Sequence, residues 1–368
     1  MEAVSNNLRK MAKIAKTSPE VLERAAHIIR GGGLVAFPTE TVYGVAASAL
    51  SEKAIERLGE IKGRPEGHPF TLAIKSAEDA IDYVPLLPPI AQRLTRRCWP
   101  GPVTFVLDDD HPDSLLKQLP SSVHHAIMPN GTVGLRVPAH DLVLAVLRLT
   151  AGPLALTSAN RTGQPDSVTA QQVQATLGND VDLIIDDGRS KFGQPSSVVR
   201  IGRDGWRLLR PGVLNEKALK RLANFLVLFV CTGNTCRSPM AECLMKGRLA
   251  AKLKCKPAEL EDHGLMIMSA GISAMSGARA STESVEIMQA QGLDLMQHES
   301  QPLNDRLVRF ADLILTMTRG HRDAILSQWP GVAARTHVLN RDGTDLADPI
   351  GGPVEYYRRC AEQIDADL

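Results

Sequence analysis

The chain has 368 residues, 43% hydrophobic and 23% charged, with a formal net charge of +1. Length and balance describe a folded chain of two domains and exclude a disordered or fibrous protein, and nothing global suggests a polyanion partner. No apolar run approaches the roughly 20 residues that span a bilayer, so no membrane segment is expected.

The basic start, with Arg9, Lys10, Lys13 and Lys16, has no apolar run behind it and reads as a surface segment rather than a secretion signal. Ser18-Pro19 opens a helix with an apolar stripe, which Gly31-Gly32-Gly33 stops. Residues 34–37 form a short buried strand, left by the hydroxyl-rich turn Pro38-Thr39-Glu40-Thr41-Val42-Tyr43-Gly44. Small polar side chains at a strand end mark a ligand site. After a helix over 52–62, Lys62 and Arg64 lie two apart on a Gly/Pro-stiffened loop and can face one anion; a solvated surface loop is the plainer reading. Strands are expected at 103–107, 133–137, 154–157, 183–185 and 197–201, and helices at 89–97, 142–149 and 170–177. This half is therefore mixed α/β. Ser158-Ala159-Asn160 again puts polar groups at a strand end, and Arg210-Pro211-Gly212 closes the half. A polar, helix-prone connector fills 213–224.

From Phe225 the pattern changes to strands alternating with helices, which predicts a small doubly wound α/β domain over 225–368. Its first strand, 225–230, has no polar face and should be central. It runs into Cys231-Thr232-Gly233-Asn234-Thr235-Cys236-Arg237-Ser238. Gly233 and Asn234 allow a tight loop, Ser238-Pro239 opens a helix, and loop amides facing inward at a helix N-terminus make an oxyanion cradle. Such a field favours the thiolate of a cysteine at its base, which makes Cys231 a candidate nucleophile. Arg237 can clamp two phosphate oxygens, and Ser238 can donate to the thiolate. The six cysteines show neither scaffold density nor zinc spacing and fit a reducing cytoplasm. Cys236 either captures an oxidised Cys231 or only packs under the loop.

The Cys-x5-Arg-Ser loop, with Asp348-Pro349 near the end, resembles the low-molecular-weight protein tyrosine phosphatase family over 225–368. The resemblance implies a four-stranded parallel sheet with no cofactor, with Cys231, Arg237 and Asp348 catalytic. Cys231 would attack phosphorus, Arg237 and the loop amides would hold the oxygens with Gly233, Thr235, Cys236 and Ser238 in support, Asn234 would fix the loop shape, and Asp348 would serve as acid and then base. Met275-Ser276 and Ile350-Gly351-Gly352 stand where tyrosine-specific members have aromatic walls, and Thr235 resembles the branch that dephosphorylates protein arginine. Phosphoarginine and phosphotyrosine proteins both remain candidates, with phosphoarginine ahead.

The first half resembles the YrdC/Sua5 family of threonylcarbamoyl-AMP synthases over 18–212. The resemblance rests on the 38–44 turn, Lys62-Gly63-Arg64-Pro65, Trp99-Pro100-Gly101-Pro102, Arg136-Val137-Pro138, Ser158-Ala159-Asn160, Pro195-Ser196-Ser197 and Arg210-Pro211-Gly212. It implies a YrdC-like mixed α/β domain with a twisted sheet, joining L-threonine, bicarbonate and ATP, with Mg²⁺ on the phosphates. The product would supply the machinery that modifies adenosine 37 of tRNA. By the same resemblance, Thr41, Arg136 and Ser196 would bind threonine. Lys62, Arg64, His68, Thr132, Ser158, Asn160 and Arg210 would hold ATP, and no resident metal is implied. A rival reading makes this half a double-stranded RNA- or tRNA-binding module, with Arg93, Arg96 and Arg97 on a basic face and the phosphatase as the only catalytic domain.

Overall fold

Strands in the first half are short and apolar, and they pair across long sequence separations. The computed structural model describes residues 11–63, 69–203 and 205–368. In it these strands build one mixed sheet: β1 (Ile14–Lys16), β2 (Val35–Pro38), β3 (Tyr43–Ser48), β4 (Thr71–Ala73), β5 (Val103–Asp108), β6 (Thr132–Arg136), β7 (Leu154–Ser158), β8 (Leu183–Asp186), β9 (Ser197–Gly202) and β10 (Gly205–Arg210). The order is β1-β8-β2-β3-β7-β4-β6-β5-β9-β10. The expected strands fall within about one residue of those found, whereas β1, β3, β4 and β10 were not expected. The basic start is thus partly a sheet edge: β1 pairs parallel to β8, and Lys16 Nζ lies 3.0 Å from Asp186 Oδ2.

The sheet gathers the polar strand ends. Gly44 at the head of β3 pairs with Ser158 at the tail of β7, which brings the 38–44 turn beside the Ser158–Asn160 loop. Arg136 ends β6 opposite Ala73 of β4. The interior is filled by Phe37, Tyr43, Leu72, Leu94, Trp99, Phe105 and Leu107, all fully or almost fully buried.

The chain divides into two compact units between Leu219 and Lys220, within the helix Glu216–Ala223. The second unit carries β11 (Phe225–Cys231), β12 (Leu265–Gly271), β13 (Leu313–Thr316) and β14 (Thr336–Val338) in the parallel order β12-β11-β13-β14. β11 is interior, as its apolar sequence requires. Alternate side chains leave it on opposite faces. Val227, Phe229 and Cys231 join a cluster with Met240, Leu244, Tyr357 and Ile364, while Leu226, Leu228 and Val230 join one with Val308, Ile314 and Ile325. The helices Arg237–Leu253 and Val354–Asp367 therefore cover one face, and Asp305–Phe310 and Arg319–Gln328 the other. The cysteine loop leaves β11 where its neighbours diverge in chain order, the usual ligand position of a doubly wound sheet. Among the described residues no helix is long and apolar enough to cross a membrane.

Candidate active sites

In the first unit the 38–44 turn is held by its own hydroxyls. Thr39 Oγ donates to the Val42 carbonyl at 2.7 Å and accepts the Thr41 and Val42 N–H groups. Thr39 and Thr41 Oγ lie 2.7 Å apart. Thr41, Arg136, Ser158, Ser196 and Arg210 line one cleft of about 220 Å³ with Thr39, Tyr43, Thr104, Thr157 and Asp166. Arg136 Nη2 donates to Glu40 Oε1 at 2.7 Å and to Thr41 Oγ at 3.0 Å, and its Nε donates to the Gly101 carbonyl at 3.3 Å. Both partners of this ion pair are buried. Glu40 Oε2 also accepts the Ala139 N–H at 3.1 Å. Glu40 sets the plane of the guanidinium, a role the sequence reading left unassigned.

Arg210 Nη2 donates to the Ser196 carbonyl at 2.9 Å and to its hydroxyl at 3.3 Å. Burial weakens Arg210's hold on its proton, Asp166 opposes this, and nearby Arg136 adds to it. Two guanidiniums and several hydroxyls thus share one cleft, an arrangement suited to a ligand with anionic groups.

Lys62 stands behind the cleft wall. Its buried Nζ donates to the Ser158 carbonyl at 3.0 Å and hydroxyl at 3.3 Å, and to the carbonyl and side-chain oxygens of Asn160, each at 2.7 Å. In this state the ammonium shapes the Ser158–Asn160 loop. Thr132 lies at the other end of β6 from Arg136, pairs with Asp108 and is not part of the cleft lining. Arg64 and His68 lie outside the described residues. The basic-face reading also changes: Arg97 is buried and Arg93 and Arg96 are half-buried, so the helix Pro89–Cys98 does not present an open basic stripe.

In the second unit Cys231 ends β11, buried. Its Sγ accepts the Asn234 N–H at 3.2 Å and lies 3.0 Å from Ser238 Oγ. Asn234 adopts φ 56°, the left-handed conformation that asparagine tolerates better than most residues. Its side chain is fully spent: Nδ2 donates to Ser238 Oγ and Ser269 Oγ, each at 2.9 Å, and Oδ1 accepts the Gln301 N–H at 2.9 Å. His298 Nε2 lies 2.8 Å from the Asn234 carbonyl. Ser269 Oγ donates to Glu242 Oε2 at 2.6 Å. Gly271 is required where β12 meets the loop, since a Cβ there would stand 2.5 Å from the Thr232 carbonyl oxygen.

Arg237 is buried, donates from Nη1 to the Leu346 carbonyl at 3.3 Å and pairs through Nη2 with Asp348 Oδ2. Asp348 Oδ1 accepts the Ile350 N–H at 3.2 Å. The two chain regions expected to act together, 231–238 and 348–349, therefore meet. Thr235 is half-buried, with its Oγ 3.6 Å from Cys236 Sγ, and Cys236 Sγ lies 3.9 Å from Tyr357 Oη. Met275 and Ile350 are strongly exposed. Ser269, Gln301, His298 and Glu242 were missed from sequence because nothing local ties them to the loop. His321 was also missed; its Nε2 lies 2.9 Å from Thr232 Oγ.

A family model described as Telomere recombination, the Sua5/YciO/YrdC family, matches residues 27–212, and one described as Low molecular weight phosphotyrosine protein phosphatase matches 226–368. The chain belongs to both families, one in each half. A threonylcarbamoyl-AMP synthase of Pyrococcus abyssi is 38% identical over 200 residues, 54% of this chain and 56% of its own length. The match thus spans little more than half of that relative. A protein-arginine-phosphatase of Geobacillus stearothermophilus is 34% identical over 145 residues, 38% of this chain and 89% of its own. The crystal structure of P. abyssi Sua5 complexed with L-threonine aligns with 71% of this chain and 92% of its own at 25% identity and a TM-score of 0.52. With a synthase family over the first half, the RNA-module reading of that half is not favoured.

Proposed function

We propose that the first half is a threonylcarbamoyl-AMP synthase and the second a cysteine-dependent phosphatase acting on phosphorylated protein. For the synthase, the supporting observation is the cleft itself, small enough for an amino acid and lined by Thr41, Arg136 and Ser196. Arg136, oriented by Glu40, takes the threonine carboxylate. The threonine amine attacks the carbon of bicarbonate-derived carbon dioxide, giving a carbamate and releasing a proton. A carbamate oxygen then attacks the α-phosphorus of ATP, and pyrophosphate leaves with the electrons of the broken P–O bond. Arg210, Lys62, Ser158 and Asn160, together with Thr132, Arg64 and His68, are assigned to the nucleotide, and Mg²⁺ enters as part of that substrate. Positioning and charge neutralisation carry the rate. Purified protein supplied with ATP and bicarbonate releases pyrophosphate only when threonine is added; release without threonine dependence would remove this reading. The product is a substrate for the machinery that modifies adenosine 37 of tRNA.

For the phosphatase, the supporting observation is that Arg237 and Asp348 converge on the loop around Cys231. An incoming phosphoryl dianion competes with Asp348 for Arg237, and release from that ion pair frees Asp348 to carry a proton. The Cys231 thiolate attacks phosphorus while Asp348 protonates the leaving nitrogen or oxygen. Water then attacks the cysteinyl phosphate, Asp348 takes its proton, and phosphate leaves. Thr235, the exposed Met275 and Ile350 in place of aromatic walls, and the arginine-phosphatase relative favour phosphoarginine over phosphotyrosine. Cys231→Ser abolishes phosphate release; undiminished turnover in that variant would exclude the mechanism. We assign the protein to a reducing cytoplasm, in keeping with six cysteines that show neither scaffold density nor zinc spacing. We assign the domains to residues 18–212 and 225–368, joined by 213–224.

A further inference from the structure

The phosphate loop carries one hydroxyl that these roles leave idle. Thr232 follows Cys231 and is exposed; its carbonyl accepts the Ser273 N–H at 3.0 Å, and its Oγ lies 2.9 Å from Nε2 of His321. His321 belongs to the first turn of the helix Arg319–Gln328, which follows β13. There Thr318 Oγ accepts the His321 backbone N–H at 3.1 Å and lies 2.9 Å from the ring Nδ1. Thr318 Oγ can give its own proton to Nδ1, and in that tautomer Nε2–H donates to Thr232 Oγ. The Thr232 hydroxyl is left with a proton and a lone pair for whatever stands at the mouth of the loop.

The ring also stands on the side of the acid. Arg237 from the loop, and Asp348 and Asp345 from the segment after β14, act on it electrostatically. Cys231 adjoins Thr232, and Arg319 and Arg322 share the ring's own helix. Burial and Arg237 work against a charge on the imidazole, while the two carboxylates work for it. A neutral ring accepts a cationic neighbour that a second positive charge would repel.

We propose that the His321–Thr232 pair is a specificity device: a hydrogen-bonding wall that selects a phosphorylated guanidinium over a phosphorylated phenol. This rests on the phosphatase reading above. A guanidinium N–H donates to the spare Thr232 lone pair, which His321 holds in register; a phenyl ring offers no donor there and leaves the exposed hydroxyl to water. His321 acts through Thr232 and is a positioning residue.

The test uses the intact protein and two peptides of one sequence, one with phosphoarginine and one with phosphotyrosine, and reads the ratio of their kcat/KM values. Thr232→Val lowers the phosphoarginine-to-phosphotyrosine ratio at least fivefold, and His321→Ala lowers it in the same direction. His321→Gln, whose amide N–H reaches the Nε2 position, keeps the ratio within twofold. An unchanged ratio in Thr232→Val, or an equal fall in His321→Gln and His321→Ala, would overturn the proposal. Should His321→Ala fail to fold, Thr232→Val decides alone. Turnover of both peptides surviving in Cys231→Ser would instead sink the phosphatase reading itself, a separate result from an unchanged ratio.

Discussion

Replacing Asn234 with alanine removes three buried side-chain hydrogen bonds, to Ser238, Ser269 and the Gln301 N–H, each at 2.9 Å. The two hydroxyls can turn to other partners, so their bonds cost about 1 kcal/mol each. The Gln301 N–H has no such freedom, and leaving it without an acceptor costs roughly 1–3 kcal/mol. Alanine at φ 56° adds about 1 kcal/mol of backbone strain. The sum is about 4–6 kcal/mol, which for a unit of this size is a fall of roughly 15 °C in Tm. Scanning calorimetry of the full chain reads it in the transition that inorganic phosphate raises, because a ligand stabilises the unit that binds it. Asn234→Gly keeps the backbone conformation and should recover about 1 kcal/mol of the loss relative to alanine. A fall under about 3 °C in Asn234→Ala, or no recovery in Asn234→Gly, would refute the view that this side chain holds the loop.

Three further outcomes follow from the two sites. Glu40→Ala strands the buried Arg136 charge and should cost about 3–5 kcal/mol, seen as a lowered Tm in the calorimetric transition that phosphate leaves unmoved, with threonine binding lost by titration calorimetry; a wild-type Tm would contradict it. Lys62→Met frees the Ser158–Asn160 loop, and threonine-dependent pyrophosphate release should fall at least tenfold while threonine still binds. For His321, burial and Arg237 push the pKa below 6.5, with Asp348 and Asp345 opposing. The unfolded chain then binds the proton more readily than the native one, so this contribution is complete above about pH 6.5 and is lost as pH falls towards the depressed native value. Urea midpoints from pH 5 to 7.5 should show that slope in the native protein and a flatter one in His321→Gln; parallel curves would count against it.

What was legible in the sequence was local. The strand into Cys231, the loop to Ser238 and the helix behind it lie within a few residues of each other, so their chemistry is visible as spacing. The unforeseen strands carry weak signals. β1 is only three residues long, and the Asp186 partner of its Lys16 is 170 residues away; β3 is built around Gly44, Ala46 and Ala47, residues with little strand preference. β4 is three residues long, and β10 is a half-exposed edge. The same limit applied to the sites. Thr41, Arg136, Ser196 and Arg210 were named through family motifs, whereas Glu40's hold on Arg136 spans 96 residues and that of His321 on Thr232 spans 89. No periodicity marks such pairs, because only the assembled sheet brings them together.

The central claim is that one chain carries two chemically separate active sites. The most direct test compares intact wild-type protein with Cys231→Ser in a single assay mixture, following phosphate released from a phosphoarginine peptide alongside threonine-dependent pyrophosphate released from ATP. The account predicts that phosphate release disappears while pyrophosphate release is unchanged. Loss of both together, or survival of both, would contradict it.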